Sequence, residues 1–213
     1  MIAEIQQGAT PKWEELAEAL RPDFPLLDDL RETPQDPEWH AEGNVFRHTG
    51  MVLEEVYQLL EGPASHLTPD RRLALILGAV FHDIAKPLTT RTQEIQGLER
   101  VVAPRHADRG RSHLVYSILN LGLPYSVTQQ VLALVGHHHD PIRLIRHDRG
   151  AEAYHRLARQ VDLELVYFLE IADMKGRICP DLPKQLEMLE MFRMFAEEYE
   201  VWKQDDPYLK WRQ

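Results

Sequence analysis

Residues 73–86 read Leu-Ala-Leu-Ile-Leu-Gly-Ala-Val-Phe-His-Asp-Ile-Ala-Lys, an apolar helical run that ends in His82 and Asp83. A segment of this composition has to be buried. A carboxylate beside an imidazole on a buried segment is costly unless something holds the charge. Metal is the simplest holder, because neutral imidazole and carboxylate oxygen both suit divalent transition ions. The chain supplies candidate partners in His48 upstream and in His106, His137, His138 and Asp173 downstream.

The surrounding pattern is overwhelmingly helical. Thr10-Pro11 opens a short helix over 11–20, and Asn44 caps one that runs to Leu60 and stops at Gly62-Pro63. Thr68-Pro69 starts the apolar helix, which ends near Lys86-Pro87. Residues 22–43 carry Pro22, Pro25, Pro34 and Pro37 and read as an irregular connection. At about 88–103 the helical period breaks around Gln96-Gly97, which predicts a small β-hairpin. Helical pattern resumes at roughly 110–121, 126–138, 150–174 and 183–202, punctuated by Pro124, Pro141 and Pro180. The fold class expected is all-α, a single domain over 1–213 with its core at about 44–180. The tail 203–213 offers Trp211 to dock on the body or on a neighbour.

Periodicity assigns faces. His48 falls between Val45 and Val52 on one face of the 44–60 helix. Val161, Leu165 and Leu169 recur every four residues, and the next member of that row is Asp173. Taken alone, an inward histidine is usually a satisfied core group, and an inward aspartate is usually paired with arginine. Three separate helices each bringing a ligand-type side chain inward make a shared ion the better explanation.

Composition narrows the chemistry. Cys179 is the only cysteine, so disulfides and four-thiolate zinc sites are excluded, and any metal takes nitrogen and oxygen ligands. The formal net charge of −10 argues against duplex-wide nucleic-acid binding, although arginines cluster locally at 100–111 and 143–149. No apolar run approaches the ~20 residues of a membrane span. Residues 1–20 lack a signal-peptide pattern, so a soluble, cytoplasmic chain with no membrane partner is expected. Ser112, Ser117 and Ser126 sit in no Gly-x-Ser-x-Gly elbow, which leaves little support for a serine nucleophile.

The ordered set His48 … His82-Asp83 … Asp173 resembles the H…HD…D signature of the HD-domain metal-dependent phosphohydrolases. His106-Ala-Asp-Arg-Gly110 and Leu134-Val-Gly-His-His138 are similar to further histidine motifs of that family, typical of members that hold two metals. Ala172-Asp173-Met-Lys-Gly-Arg177 resembles a run in HD domains attached to bacterial tRNA nucleotidyltransferases. The segment Lys86-Pro87 … Arg91 … Gly97 … His106 resembles HD phosphoesterase modules of RNA end repair. Position 105 is arginine where glycine is usual. Among the three consecutive histidines, helix phase favours His138 as a ligand, then His137, with His139 exposed.

The resemblance implies an HD-domain helical bundle and a two-metal hydrolase. Asp83 would bridge two ions, with His48, His82 and Asp173 on one and His106, His137 and His138 on the other. Two such ions about 3.5–4 Å apart acidify water and hold phosphate oxygens. Lys86, at i+3 from Asp83, is a second catalytic candidate, and Arg91, Arg109 and Arg177 are candidate substrate contacts. The metal can be Mn, Fe, Co, Ni, Cu or Zn. The substrate expected is a phosphomonoester or phosphodiester of a nucleotide, first among them a nucleic-acid end with a 2′,3′-cyclic, 2′- or 3′-phosphate. Other readings are a one-metal 5′-nucleotidase or nucleoside-triphosphate hydrolase, and a catalytically silent nucleotide-binding regulatory module.

Overall fold

The computed structural model describes residues 1–202; Trp211 and the rest of the tail lie outside the described residues. In chain order the described elements are α1 (Ile2–Gln6), α2 (Trp13–Leu20), α3 (Leu26–Asp29), α4 (Val45–Glu61), α5 (Pro69–Phe81) and α6 (Lys86–Thr89). The hairpin strands β1 (Arg91–Ile95) and β2 (Leu98–Val102) follow, then α7 (His106–Ser117) and α8 (Tyr125–His137). The chain continues through α9 (Asp140–Arg146), α10 (Ala151–Ala158), α11 (Leu163–Lys175) and α12 (Leu182–Glu198). The fold is predominantly helical, as expected, and no described helix is long and apolar enough to cross a membrane.

Its centre is α5. The Thr68 hydroxyl caps the first turn, Pro69 sits where a missing amide costs nothing, and every residue from Leu73 to Phe81 is buried. A helix that is apolar all round can only be surrounded, and α4, α8 and α11 pack about it. Gly78 permits the closest approach: a Cβ there would lie 3.0 Å from Leu134 Cδ1. α7 covers α8, and α12 lies against α9 and α11.

The hairpin forms as expected. Gln96 and Gly97 both take positive φ, 55° and 79°, as a two-residue turn matched to strand twist requires. Two expectations fail. The single helix over 150–174 is two helices, α10 and α11. Its break is Asp162, whose carboxylate accepts from the amides of Glu164 and Leu165 at 3.0 and 3.1 Å and so starts a new helix. The stretch between 138 and 150, read as a break alone, holds α9, and Pro141 marks the break by sitting in that helix's first turn, where proline is tolerated.

The proline-rich connection is ordered. Phe24, Leu27 and Leu30 are buried, and Pro34 pairs with Asn44 across the neck of a closed loop. Asp36 ties that loop to the hairpin, accepting from Arg100 Nε at 2.8 Å and from the Val101 amide at 3.2 Å.

The end of α11 meets α4 at Gly176, where an added Cβ would lie 2.8 Å from the Val52 amide nitrogen. Backbone cannot give way there as a side chain tip would. Gly176→Ala is therefore expected to cost about 1–3 kcal/mol. A circular-dichroism melt should show Tm lowered by several degrees, and an unchanged Tm would contradict this packing.

Candidate metal centre

Each inward polar residue sits at a place its element dictates. His48 lies on the buried face of α4, and Asp173 ends the apolar row of α11. His82 and Asp83 occupy the turn between α5 and α6, and Lys86 begins α6. His106 opens α7, while His138 and His139 form the turn between α8 and α9. The first turns of α4 and α7 and the C-terminal ends of α5, α8 and α11 thus converge on one buried spot.

The distances form two groups that share Asp83. In the first, His48 Nε2 is 3.0 Å from Asp173 Oδ1 and 3.4 Å from His82 Nε2. His82 Nε2 lies 3.3 Å from Asp83 Oδ2. In the second, His106 Nε2 is 3.2 Å from Asp83 Oδ1, 3.2 Å from His138 Nε2 and 3.2 Å from His139 Nε2. Donor atoms that each sit about 2.1 Å from one ion stand about 3.0–3.4 Å from one another; the distances to His106 have this spacing, while in the first group His48 Nε2–Asp83 Oδ2 and His82 Nε2–Asp173 Oδ1 are wider, at 3.8 and 4.0 Å.

The ring orientations follow one rule. Nδ1 of His82 donates to Ala79 O at 2.7 Å, that of His106 to Ala103 O at 2.7 Å, and that of His138 to Val135 O at 2.8 Å. His48 Nδ1 donates to Gly176 O at 3.2 Å, with Glu42 Oε1 also 3.2 Å away. A carbonyl partner fixes the proton on Nδ1, so in the neutral ring Nε2 presents a lone pair. Four such lone pairs face one another and two carboxylates. Asp83 Oδ1 is buried and has no hydrogen bond among the described residues. Acceptors packed face to face in a dry interior repel, and a divalent cation between them removes the conflict. The donor set therefore fits metal at both groups.

Electrostatics point the same way. Burial pushes His138 down to about 3, with His106 and His82 adding to it, so this ring is neutral at ordinary pH. Burial, with His138 and His106, also holds His139 well below the usual imidazole range. Burial works to raise Asp83, but Lys86, His82 and His106 outweigh it and keep the carboxyl well below its ordinary value. Asp173 behaves alike, with Arg177 and His48 outweighing burial.

A second layer braces these groups. Glu42 is fully buried and accepts from His40 Nδ1 at 2.7 Å and from the Ile178 amide at 3.0 Å. Lys86 Nζ lies 2.7 Å from Asp83 Oδ2 and donates to Gln35 Oε1 at 2.7 Å. Arg177 grips both oxygens of Asp173, one at 3.1 Å. One turn before Asp173, buried Glu170 has no hydrogen bond at either oxygen, and its Oε1 is 3.9 Å from His139 Nδ1. Burial and the neighbouring Asp173 raise Glu170 well above the usual carboxylate range, with Arg177 opposing. A cleft of about 230 Å³ opens beside the cluster, walled by Gln35, Trp39, His40, Lys86, His106 and Arg177 among others.

Three expected site residues lie elsewhere. His137 is outside the cluster: its Nδ1 faces Asp140 Oδ2 at 2.8 Å. His139, expected to be exposed, is half-buried and takes the place beside His106. Helical phase was the wrong guide for it, because α8 ends at His137 and the chain turns before α9. Arg91 and Arg109 line a neighbouring groove rather than the cleft. Gln35, Trp39, His40 and Glu42 were not expected at all, since their loop has no periodicity. A buried His-x-Glu pair four residues ahead of a helix bearing an inward histidine was the one available signal.

The model of the family described as HD domain matches residues 45–174, from the start of α4 to the last turn of α11. No curated protein matches the chain.

His139→Ala should lower the divalent metal held per chain after dialysis, measured by elemental analysis, while His137→Ala should leave it unchanged; the reverse result would refute this assignment. Stability should also depend on pH in the metal-free protein. His40, lowered to about 4 by burial despite Glu42, and His138 refuse protons that the unfolded rings accept below about 6.5. The unfolded state then binds more protons, so stability falls as pH drops from 6.5 toward 4. His48 opposes this, because Asp173 and Glu42 outweigh burial and raise it. Between pH 7.5 and 5.5 the net loss should be on the order of 1–3 kcal/mol, read as a falling Tm. A level or rising Tm would contradict it.

Proposed function

The chain belongs to the HD domain family, and we propose that it is a metal-dependent phosphohydrolase with a two-ion centre, acting on a phosphomonoester or phosphodiester of a nucleotide. The observation that carries this reading is Asp83, whose two oxygens are apportioned between two histidine groups beside a cleft that Lys86, His106 and His139 line. Divalent ions held there would supply Lewis acidity, lowering the pKa of water and neutralising phosphate oxygens.

The protein's own groups do the rest. His82, His106 and His138 are held rigidly by backbone carbonyls, so their donor atoms need no reorganisation. Lys86 and Arg177 line the cleft and set fixed positive charge beside it, each already anchored to an aspartate of the cluster. Lys86 offers a compact ammonium and Arg177 a planar fork, and both suit phosphate oxygens. A dianionic phosphate entering this cleft meets cations on two sides. Attack in line with the leaving oxygen then needs no covalent intermediate.

Trp39 supports a nucleotide as the substrate. Its indole is 38% exposed, large for tryptophan, and it forms part of the cleft wall beside His40. An aromatic face next to a phosphate site is a stacking platform for a base. Nucleic-acid ends with 2′,3′-cyclic, 2′- or 3′-phosphate remain the first substrates to test.

Elemental analysis of protein loaded with a transition metal should find nearly two ions per chain, with about one lost on His106→Ala or His138→Ala. A panel of 2′-, 3′-, 5′- and cyclic nucleotides should reveal turnover abolished by chelator and by Asp83→Ala. On the best substrate Trp39→Ala should raise KM roughly tenfold with kcat held, in the range of a lost stacking contact. Full activity in chelator, or an active Asp83→Ala, would overturn the proposal.

A further inference from the structure

Resting on the phosphohydrolase reading of the cleft, we propose that the groove beside it is a binding track for the following phosphates of a single-stranded oligonucleotide. The cleft is too small to hold more than the reacting end of an oligonucleotide. Its volume, about 230 Å³, falls below the roughly 300–1,000 Å³ usual for ligand sites. A reacting end fits and the remainder has to lie outside. The adjoining groove is larger, about 700 Å³, and the two spaces meet at Thr90, which lines both.

The chemistry of that groove suits phosphate. Arg91, Arg105 and Arg109 line it, against one acid, Asp108. In a chain with formal net charge −10 this is a local excess of positive charge at the mouth of the phosphate site. Arg109 is exposed, and its side chain makes no hydrogen bond or ion pair among the described residues. Arg105 pairs only with Asp108, at 3.3 Å and in solvent, where such a pair is easily exchanged. Guanidinium groups spaced along a groove match phosphates spaced along a strand. At the seam, the Thr90 hydroxyl is buried and has no hydrogen-bond partner among the described residues, leaving one polar group for a ligand to satisfy.

Backbone conformation adds an independent sign. Arg105 has φ 58° and ψ 24°, the left-handed region that glycine adopts without steric cost and arginine does not. The side chain held in this strained position is exposed and faces no core. Strain kept at an exposed residue on the rim of a site is expected where that side chain serves binding.

The test uses the metal-loaded protein, a fluorescein-labelled hexauridylate with a 3′-phosphate, and 3′-UMP as the short comparison. Fluorescence anisotropy should show the hexamer bound at least tenfold more weakly by the Arg91→Ala/Arg109→Ala double variant. The slope of log affinity against log salt should fall by about 1.4, two phosphates at roughly 0.7 each. Turnover of 3′-UMP, or of the best mononucleotide, should change less than twofold. Arg105→Gly should weaken hexamer binding while Tm holds or rises, a combination that a purely structural arginine would not produce. Equal hexamer affinity in wild type and double variant overturns the proposal, as does an equal loss on hexamer and mononucleotide. Arginine-dependent hexamer binding without hydrolysis of any phosphate ester would leave the groove standing and sink the hydrolase reading. Mononucleotide turnover with no tighter binding of the hexamer would do the opposite.

Discussion

A carboxylate facing imidazole lone pairs in a dry interior is the constraint on which the rest of this structure depends. Asp83 is buried at the end of a helix that is itself surrounded, and it cannot be relieved by solvent. Lys86 offsets part of its charge at Oδ2, leaving Oδ1 against His106 with no hydrogen bond. The remedy has to be positive, compact and able to accept several lone pairs, which describes a divalent ion. The convergence of α4, α5, α7, α8 and α11 carries five imidazole nitrogens, both oxygens of Asp83 and one of Asp173 to one place. Carbonyls three residues earlier in the chain hold three of the rings, so the orientation is a local consequence of how each helix starts or stops.

The loop over 33–44 completes what the helices begin. It covers the first histidine group with Glu42 and His40, holds Lys86 through Gln35, and offers Trp39 to the cleft. Its neck is closed by the Pro34–Asn44 bridge, and the hairpin is tied to it through Asp36. The centre is thus framed on one side by rigid helices and on the other by a loop and a hairpin. Rigid elements place donors accurately, whereas the loop side decides what can enter.

How much of this was legible from the chain alone differs by element. Asn44, Thr68 and Pro69 announce helix starts through their own chemistry, and the structure places caps there. The Gln96-Gly97 turn is equally local. Asp162 was missed because an aspartate in a helical row reads as one more polar position until its carboxylate is seen on two amides. In the site, His48, His82, Asp83, His138 and Asp173 come together where helical spacing pointed them inward, and His106 joins them where the family resemblance placed a ligand. Spacing fails past the end of a helix, so His137 was preferred to His139. It says nothing about a proline-rich loop, so Gln35, Trp39, His40 and Glu42 were invisible to it. Arg91 and Arg109 were read as near the phosphate because of their charge, but charge alone does not specify which of two adjoining hollows a side chain lines.

The central claim is that one carboxylate is shared by two ions, and electron paramagnetic resonance of the manganese-loaded protein tests it most directly. Two Mn(II) ions, one held by each histidine group with Asp83 between them, would be close enough to couple magnetically. At saturating metal the spectrum should be that of a coupled pair, and His139→Ala should convert it to the six-line signal of an isolated ion. A six-line signal accounting for all bound manganese in the unaltered protein would contradict the account.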